Sequence, residues 1–291
     1  MPVDRDRSRL VIRRVLRLAG KLSAAAKAED VHKFRTNVRR LEAMLAVLHP
    51  ESQTGHKKVL RLLGRLRRRA GKVRDADVQL ATLRSVKLPE EAERKAQLQR
   101  ALSDLRARRE KKLLREAGKE TLRKLRKRLR KLESELVFPE GLDPARAAIQ
   151  EFHELIRQHG PLNEERLHTF RIAAKRVRYI AEMAGKDPEA ERIVSELKRL
   201  QTALGEWHDW VTLTATAEEI FKAGVNHALL AALRSTTRDK FREAVQAVNE
   251  ARRNLLGRAL PMAAALPAAG RRQPAPSRKG TRSVADARAV A

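Results

Sequence analysis

Residues 31–41 read VHKFRTNVRRL, and residues 167–177 read LHTFRIAAKRV. His, Phe, Arg and two adjacent cations stand at the same offsets in both: His32, Phe34, Arg35, Arg39 and Arg40 against His168, Phe170, Arg171, Lys175 and Arg176. The copies lie 136 residues apart, nearly half of the 291-residue chain. A second phrase repeats at close to that distance. LGRLRRRAGKVRDADV (63–78) aligns with LKRLQTALGEWHDWV (197–211), which sets Gly71 over Gly205 and Asp75 over Asp209. At helical spacing, His32, Arg35 and Arg39 fall within about 60° of one another, and Phe34, Val38, Leu41, Leu45 and Leu48 take the other side. In the second copy His168, Arg171, Lys175 and Arg178 share one face, and Phe170, Ala174, Val177 and Ala181 share the opposite one. Lys58, Arg61, Arg65, Arg68 and Lys72 make a further stripe against Val59, Leu63, Leu66 and Ala70. The pattern predicts a duplicated unit of amphipathic helices, each copy carrying a cationic face.

A solvated helix face ordinarily mixes signs, because acid–base pairs four residues apart support the helix and like charges there cost a few tenths of a kcal/mol per pair. Faces that stay positive over several turns in both copies therefore favour a function. The whole chain agrees, with 65 Lys+Arg against 36 Asp+Glu and a formal net charge of +29. Such self-repulsion points to an anionic partner: nucleic acid, an anionic membrane or a phosphate polymer. Aromatic residues make up only 3%. Binders of single strands interleave cations with aromatic stacking platforms, so single-stranded nucleic acid is disfavoured. There is no cysteine, which excludes disulfides and cysteine chemistry. The N-terminal stretch has no uninterrupted apolar segment of the secretory type, and no apolar run is long enough to span a membrane, so a cytoplasmic location without membrane contact is expected.

Ala, Leu, Arg, Lys and Glu at helical periodicity dominate throughout, and no alternating β-branched run suggests a strand. Breaks are expected at Pro50–Gly55, at Gly71 and Asp75, before Pro89, at Phe138–Pro144, at Gly160–Asn163, at Gly185–Pro188 and at Gly205. The resulting scheme has about four main helices per half, with repeat one at about 8–137 and repeat two at about 143–260. The helical domain spans 1–260, and 261–291 is a basic Ala/Pro/Arg tail that should be disordered. Residues 104–131 hold 14 Lys+Arg and 4 Asp+Glu, which reads mainly as a solvated face.

Paired in register with the cations, His32 and His168 are expected to touch the ligand, donating hydrogen bonds to phosphate and charging as the anion binds. Neither has a carboxylate or second His at metal-binding spacing, so no metal or cofactor is expected. Asp75 and Asp209 are expected to cap new helices, presenting Arg74 and His208 at helix junctions. Trp207 and Trp210 are expected in the core.

Taken together, VHKFRTNVRRLEAML, LGRLRRRAGKVRDADV, LHTFRIAAKRVRYIAE and LKRLQTALGEWHDWV resemble the CHAD family, the conserved-histidine α-helical domain, over about residues 8–258. The resemblance implies an all-α fold of two four-helix bundles about a pseudo-twofold axis, with long helices and a basic central cavity that binds inorganic polyphosphate. It also implies an association with polyphosphate granules. Matching positions carry that role to His32, Arg35, Arg39, Arg40, Arg65 and Arg74, and to His168, Arg171, Lys175, Arg176, Arg199 and His208. Lys112 and Lys240 align on the closing helices. The stripe residues Lys58, Arg61, Arg68 and Arg178 complete the predicted polyphosphate site. Gln201 over Arg67 and Thr202 over Arg68 imply a weaker grip on the second side. Some relatives carry a triphosphatase domain marked by Glu-x-Glu-x-Lys. EAERK (91–95) matches that string, but in a helical run Glu91 and Glu93 point about 160° apart, so no tunnel enzyme is expected. The expectation is therefore non-catalytic polyphosphate binding. The alternatives are a DNA-binding, nucleoid-associated protein that uses the same charge plus the tail and, behind it, a polyphosphate-processing enzyme.

Overall fold

A computed structural model describes residues 3–48, 53–158, 162–221 and 227–257, with only the backbone of 53–55. Pro50–Ser52, Gly160–Pro161 and the 261–291 tail, for which a break or disorder was expected, lie outside the described residues. Among the described residues every regular element is helical. In the first half these are α1 (Arg5–Ala24), α2 (Ala28–Leu48), α3 (Gln53–Ser85), α4 (Ala92–Glu116) and α5 (Lys119–Ser134). The second half holds α6 (Pro144–Gln158), α7 (Glu164–Ala181), α8 (Pro188–Phe221) and α9 (Ala228–Leu256).

The apolar periodicity decides the packing. Phe34, Val38, Leu41, Leu45 and Leu48 of α2 are buried against α1, α3 and α5. Phe170, Ala174, Val177 and Ala181 of α7 are buried against α6, α8 and α9. Each large apolar side chain so buried contributes about 2 kcal/mol. A third cluster joins the far ends of the long helices: Leu83 and Val86, Leu98 and Leu102, Leu213 and Ala217, and Leu229, Leu230 and Leu233. The four longest helices therefore outrun their own bundles and meet in a core common to both halves.

Several expected boundaries hold. Residues 135–143 form the central connection, with Gly141 at φ 75°. Asp187 accepts from the Ala190 amide at 2.6 Å ahead of Pro188, and Gly185 adopts φ 70°. Gly185 is also a point of close approach: a Cβ there would lie 2.8 Å from Asp4 Oδ2. The Asp4 amide donates to the Met183 carbonyl at 2.9 Å, which fastens the start of α1 to the second half.

Two expectations need correction. The first half has five α-helices among the described residues, because its last long run breaks at Ala117 and Gly118. Nor do α3 and α8 stop at Gly71 and Gly205; each continues past Asp75 and Asp209, which therefore cap nothing. The buried face runs on through Val73, Ala76, Gln79 and Leu83 in α3, and through Trp207, Leu213 and Ala217 in α8. That continuity outweighs one glycine, which costs only about 1 kcal/mol inside a helix. Gly71 instead leaves the helix surface bare beneath Arg35, where a Cβ would lie 3.7 Å from the guanidinium Nε and Nη2.

Candidate functional site

The helices that carry the repeated phrases, α2 with α7 and α3 with α8, pack together across the two halves. Their polar faces line one cleft of about 900 Å³. His32, Arg35, Arg39 and Arg40 enter it from α2, Arg74 from α3, His168, Arg171, Lys175 and Arg178 from α7, and His208 from α8. Helix continuity through Asp75 and Asp209 is what holds Arg74 and His208 rigidly on the wall.

The cleft confines like charges. Burial foremost, then the neighbouring Arg171, Arg39 and Arg35, pushes the Lys175 ammonium down to about 6, with Asp209 opposing. Burial pushes Arg171 down to about 10, against the favourable field of Asp209 and Asp75. Arg171 still stays charged at neutral pH. His208 is pushed down to about 3 by burial and by Arg171, His168 and Lys175. His32 and His168 are lowered for the same reasons, burial first. The His168 and His208 rings lie 5.0 Å apart between centroids. Asp75, 3.7 Å from Arg35, and Asp209 are the two acids lining the cleft. Nε of Arg35, of Arg171 and of Arg178 is buried without a hydrogen-bond partner among the described residues. Unsatisfied donors in a field of crowded cations are conditions that an anion relieves.

One edge of the cleft is neutralised. Buried Glu182 accepts from Arg40 Nε at 2.7 Å and lies 3.7 Å from Arg178, and both guanidinium groups stack on Tyr179. Arg40 therefore ties α2 to the second half and is less available to a ligand than Arg39.

The remaining predicted residues lie outside the cleft. Arg65 pairs with Glu116, Arg176 with Glu151 and Arg199 with Glu196. Lys240 is held by Glu206 and Glu243. Lys58, Arg61 and Arg68 are exposed on α3, and Lys112 is exposed beside Lys72 in a groove between α3 and α4. Conversely, Lys33, Thr36, Lys198, Gln201, Thr202 and Thr212 line the cleft. Gln201 and Thr202 were visible only as weak counterparts of Arg67 and Arg68. Trp207 is buried against Phe241, and Trp210 packs at the common core. EAERK opens α4, where buried Glu91 accepts from the Ala228 amide at 3.1 Å. No helix among the described residues is long and apolar enough to cross a membrane.

The family model for the CHAD domain matches residues 9–218. The chain also resembles a solved structure described as the CHAD domain from the plant Ricinus communis, with a TM-score of 0.65 and 18% identity. That similarity covers 84% of this chain and 87% of the plant one. No curated protein matches the sequence. The chain belongs to the CHAD family.

Proposed function

We propose that the cleft binds inorganic polyphosphate without catalysis, and that the protein associates with polyphosphate granules in the cytoplasm. The observation that carries this reading is the convergence of Arg35, Arg39, Arg74, Arg171 and Lys175 from three helices on one space that holds two acids. A flexible chain with about one charge per phosphate follows such a cleft with no sequence to read. Arginine suits the task because its planar fork engages two phosphate oxygens. Binding releases counterions, so log K should fall with log salt by about 0.7 per neutralised phosphate, the slope for flexible polyanions. His32 and His168 at the mouth donate hydrogen bonds and take up protons as the anion enters.

Replacing Arg35, Arg39, Arg171 and Lys175 together by Ala weakens polyphosphate binding by well over tenfold at about 150 mM salt, with helicity retained by circular dichroism. An unchanged dissociation constant overturns the reading. Phosphate release from polyphosphate in the presence of Mg²⁺ or Mn²⁺ tests the non-catalytic part, and turnover would contradict it.

A further inference from the structure

The cleft draws cations from both halves, yet the surplus charge of the fold does not. Residues 1–137 carry 40 Lys+Arg against 17 Asp+Glu, whereas residues 143–260 carry 19 against 17. The excess lies on the first half, on helix faces turned away from the cleft. Arg69 and Lys72 of α3, with Arg108, Arg109 and Lys112 of α4, line a groove of about 170 Å³ that no acidic side chain enters. None of these five forms an ion pair among the described residues, and Arg109 donates to the Lys72 carbonyl at 3.0 Å. Exposed Arg61 and Arg68 extend the array along α3, with Arg65 between them paired to Glu116. From Arg61 to Lys72 it runs about 16 Å at 1.5 Å per residue. At the corresponding place on the second half the cation is not free, because Lys240 bridges Glu206 and Glu243 at 2.9 and 2.7 Å. A feature of helix surfaces in general would appear on both halves.

We propose that this α3–α4 face is a second, independent anion site, and that its ligand is the phosphate backbone of duplex DNA, bound without sequence preference. The face is open, so a flexible phosphate chain bound there would meet cations on one side only, with fewer contacts to offset its ordering than the walled cleft supplies. A duplex brings its own rigidity and about one charge per 1.7 Å of axis, so an open cationic strip suffices. No aromatic side chain lines the groove, which leaves backbone contact rather than base stacking as the mode of binding.

The test is fluorescence anisotropy of a labelled random-sequence duplex against the full chain, with polyphosphate binding measured in parallel. Exchanging Arg69, Lys72, Arg108, Arg109 and Lys112 for Gln weakens the duplex at least about tenfold and lowers the magnitude of the salt slope by about four, at about 0.9 per phosphate contact. Polyphosphate binding in the cleft stays within threefold, which also shows that the variant is folded. The cleft variant R35A/R39A/R171A/K175A shows the reverse pattern. A full-length chain with Arg271, Arg272, Arg278, Lys279, Arg282 and Arg288 changed to Gln keeps most of its duplex affinity. The proposal is overturned if the groove exchange leaves duplex binding intact, if neutralising the 261–291 cations abolishes it, or if the cleft variant loses the duplex as fully as it loses polyphosphate. Duplex binding is read separately from polyphosphate binding, so this inference and the cleft reading can fail independently.

Discussion

The two halves treat their cations differently inside the cleft and outside it. Inside, α2 and α7 present matching sets: His32, Arg35 and Arg39 face His168, Arg171 and Lys175 across one space. Outside, Lys112 stands beside Lys72 with no acid in its groove, while Lys240, its counterpart in the second half, is held by Glu206 and Glu243. Similar helices with similar polar faces thus end in three states: crowded with more cations than acids, exposed and unpaired, or paired. The contrast teaches that a cation's neighbours, rather than its place in a repeated phrase, decide whether it is free to bind. The sharpest way to break it is charge reversal. Arg35→Glu with Arg171→Glu should lower polyphosphate affinity by about a hundredfold or more by isothermal titration calorimetry, since each exchange removes a contact and adds a repulsion. Arg176→Glu with Arg199→Glu, at cations already paired with Glu151 and Glu196, should change it by less than about threefold. Equal losses would erase the distinction between cleft and exterior.

The edge where the halves meet gives the next largest effect. Glu182 neutralises Arg40 from α2 and faces Arg178 from α7. Glu182→Gln leaves two partly buried guanidinium groups without their counter-charge. The expected cost is about 2 kcal/mol, discounted from the value for a fully buried pair because Arg40 keeps some solvent access. For a fold of this size that is a fall of roughly 4–8 °C in Tm, readable by calorimetry. An unchanged Tm would mean that the hydrophobic joint of the long helices, and not this ion cluster, holds the halves together.

Much of this organisation was legible in the sequence because it rests on period and composition. The apolar sets of α2 and α7 were readable from spacing alone, and Phe34 and Phe170 are fully buried as that spacing requires. The cations of the cleft followed from the opposite faces of the same helices. Misreadings arose where a local signal met a long-range one. Gly71 and Asp75 have the form of a helix stop and a cap, but the continuing buried face of α3 overrides them, and Asp75 faces Arg35 instead. Periodicity also could not separate cleft cations from paired ones. Arg65 and Lys175 read alike on a helical wheel, and only tertiary packing sets Glu116 against the first and Arg39 with Arg35 against the second. The third core cluster had no signal of its own, since Leu83 and Leu213 continue patterns already assigned to the bundles.

Protonation sharpens the comparison between crowded and paired cations. Lys175, held down to about 6 by burial and by Arg171, Arg39 and Arg35, is largely neutral at pH 8 in the empty cleft. Lys240 is raised by its bonds to Glu243 and Glu206 and stays charged. A bound polyanion favours the charged form of Lys175, so binding at pH 7 should take up protons, and polyphosphate affinity should rise about tenfold from pH 8 to pH 5. Titration calorimetry in buffers of different ionisation enthalpy measures the uptake, which should shrink in Lys175→Met but not in Lys240→Met. For the ligand-free protein the sign reverses. The unfolded chain binds a proton at Lys175 that the folded chain releases, so this residue's contribution to stability rises with pH between about 6 and about 10. The Tm difference between wild type and Lys175→Met should narrow across that window.

The smallest expected effect builds the missing face on the second half. Glu206→Gln with Glu243→Gln removes both acids that hold Lys240 and leaves it as free as Lys112. Each original pair is partly exposed and contributes little to stability, so the fold should tolerate the exchange with a change in Tm of a degree or two. If unpaired surface cations are what recruit a duplex, this variant should bind labelled DNA about threefold more tightly than wild type at low salt, with a salt slope steeper by roughly one contact. Polyphosphate affinity should not follow, because Glu206, Lys240 and Glu243 all lie outside the residues lining the cleft. A gain in polyphosphate binding without a gain for the duplex would instead show that long-range field, not local pairing, sets what each half attracts.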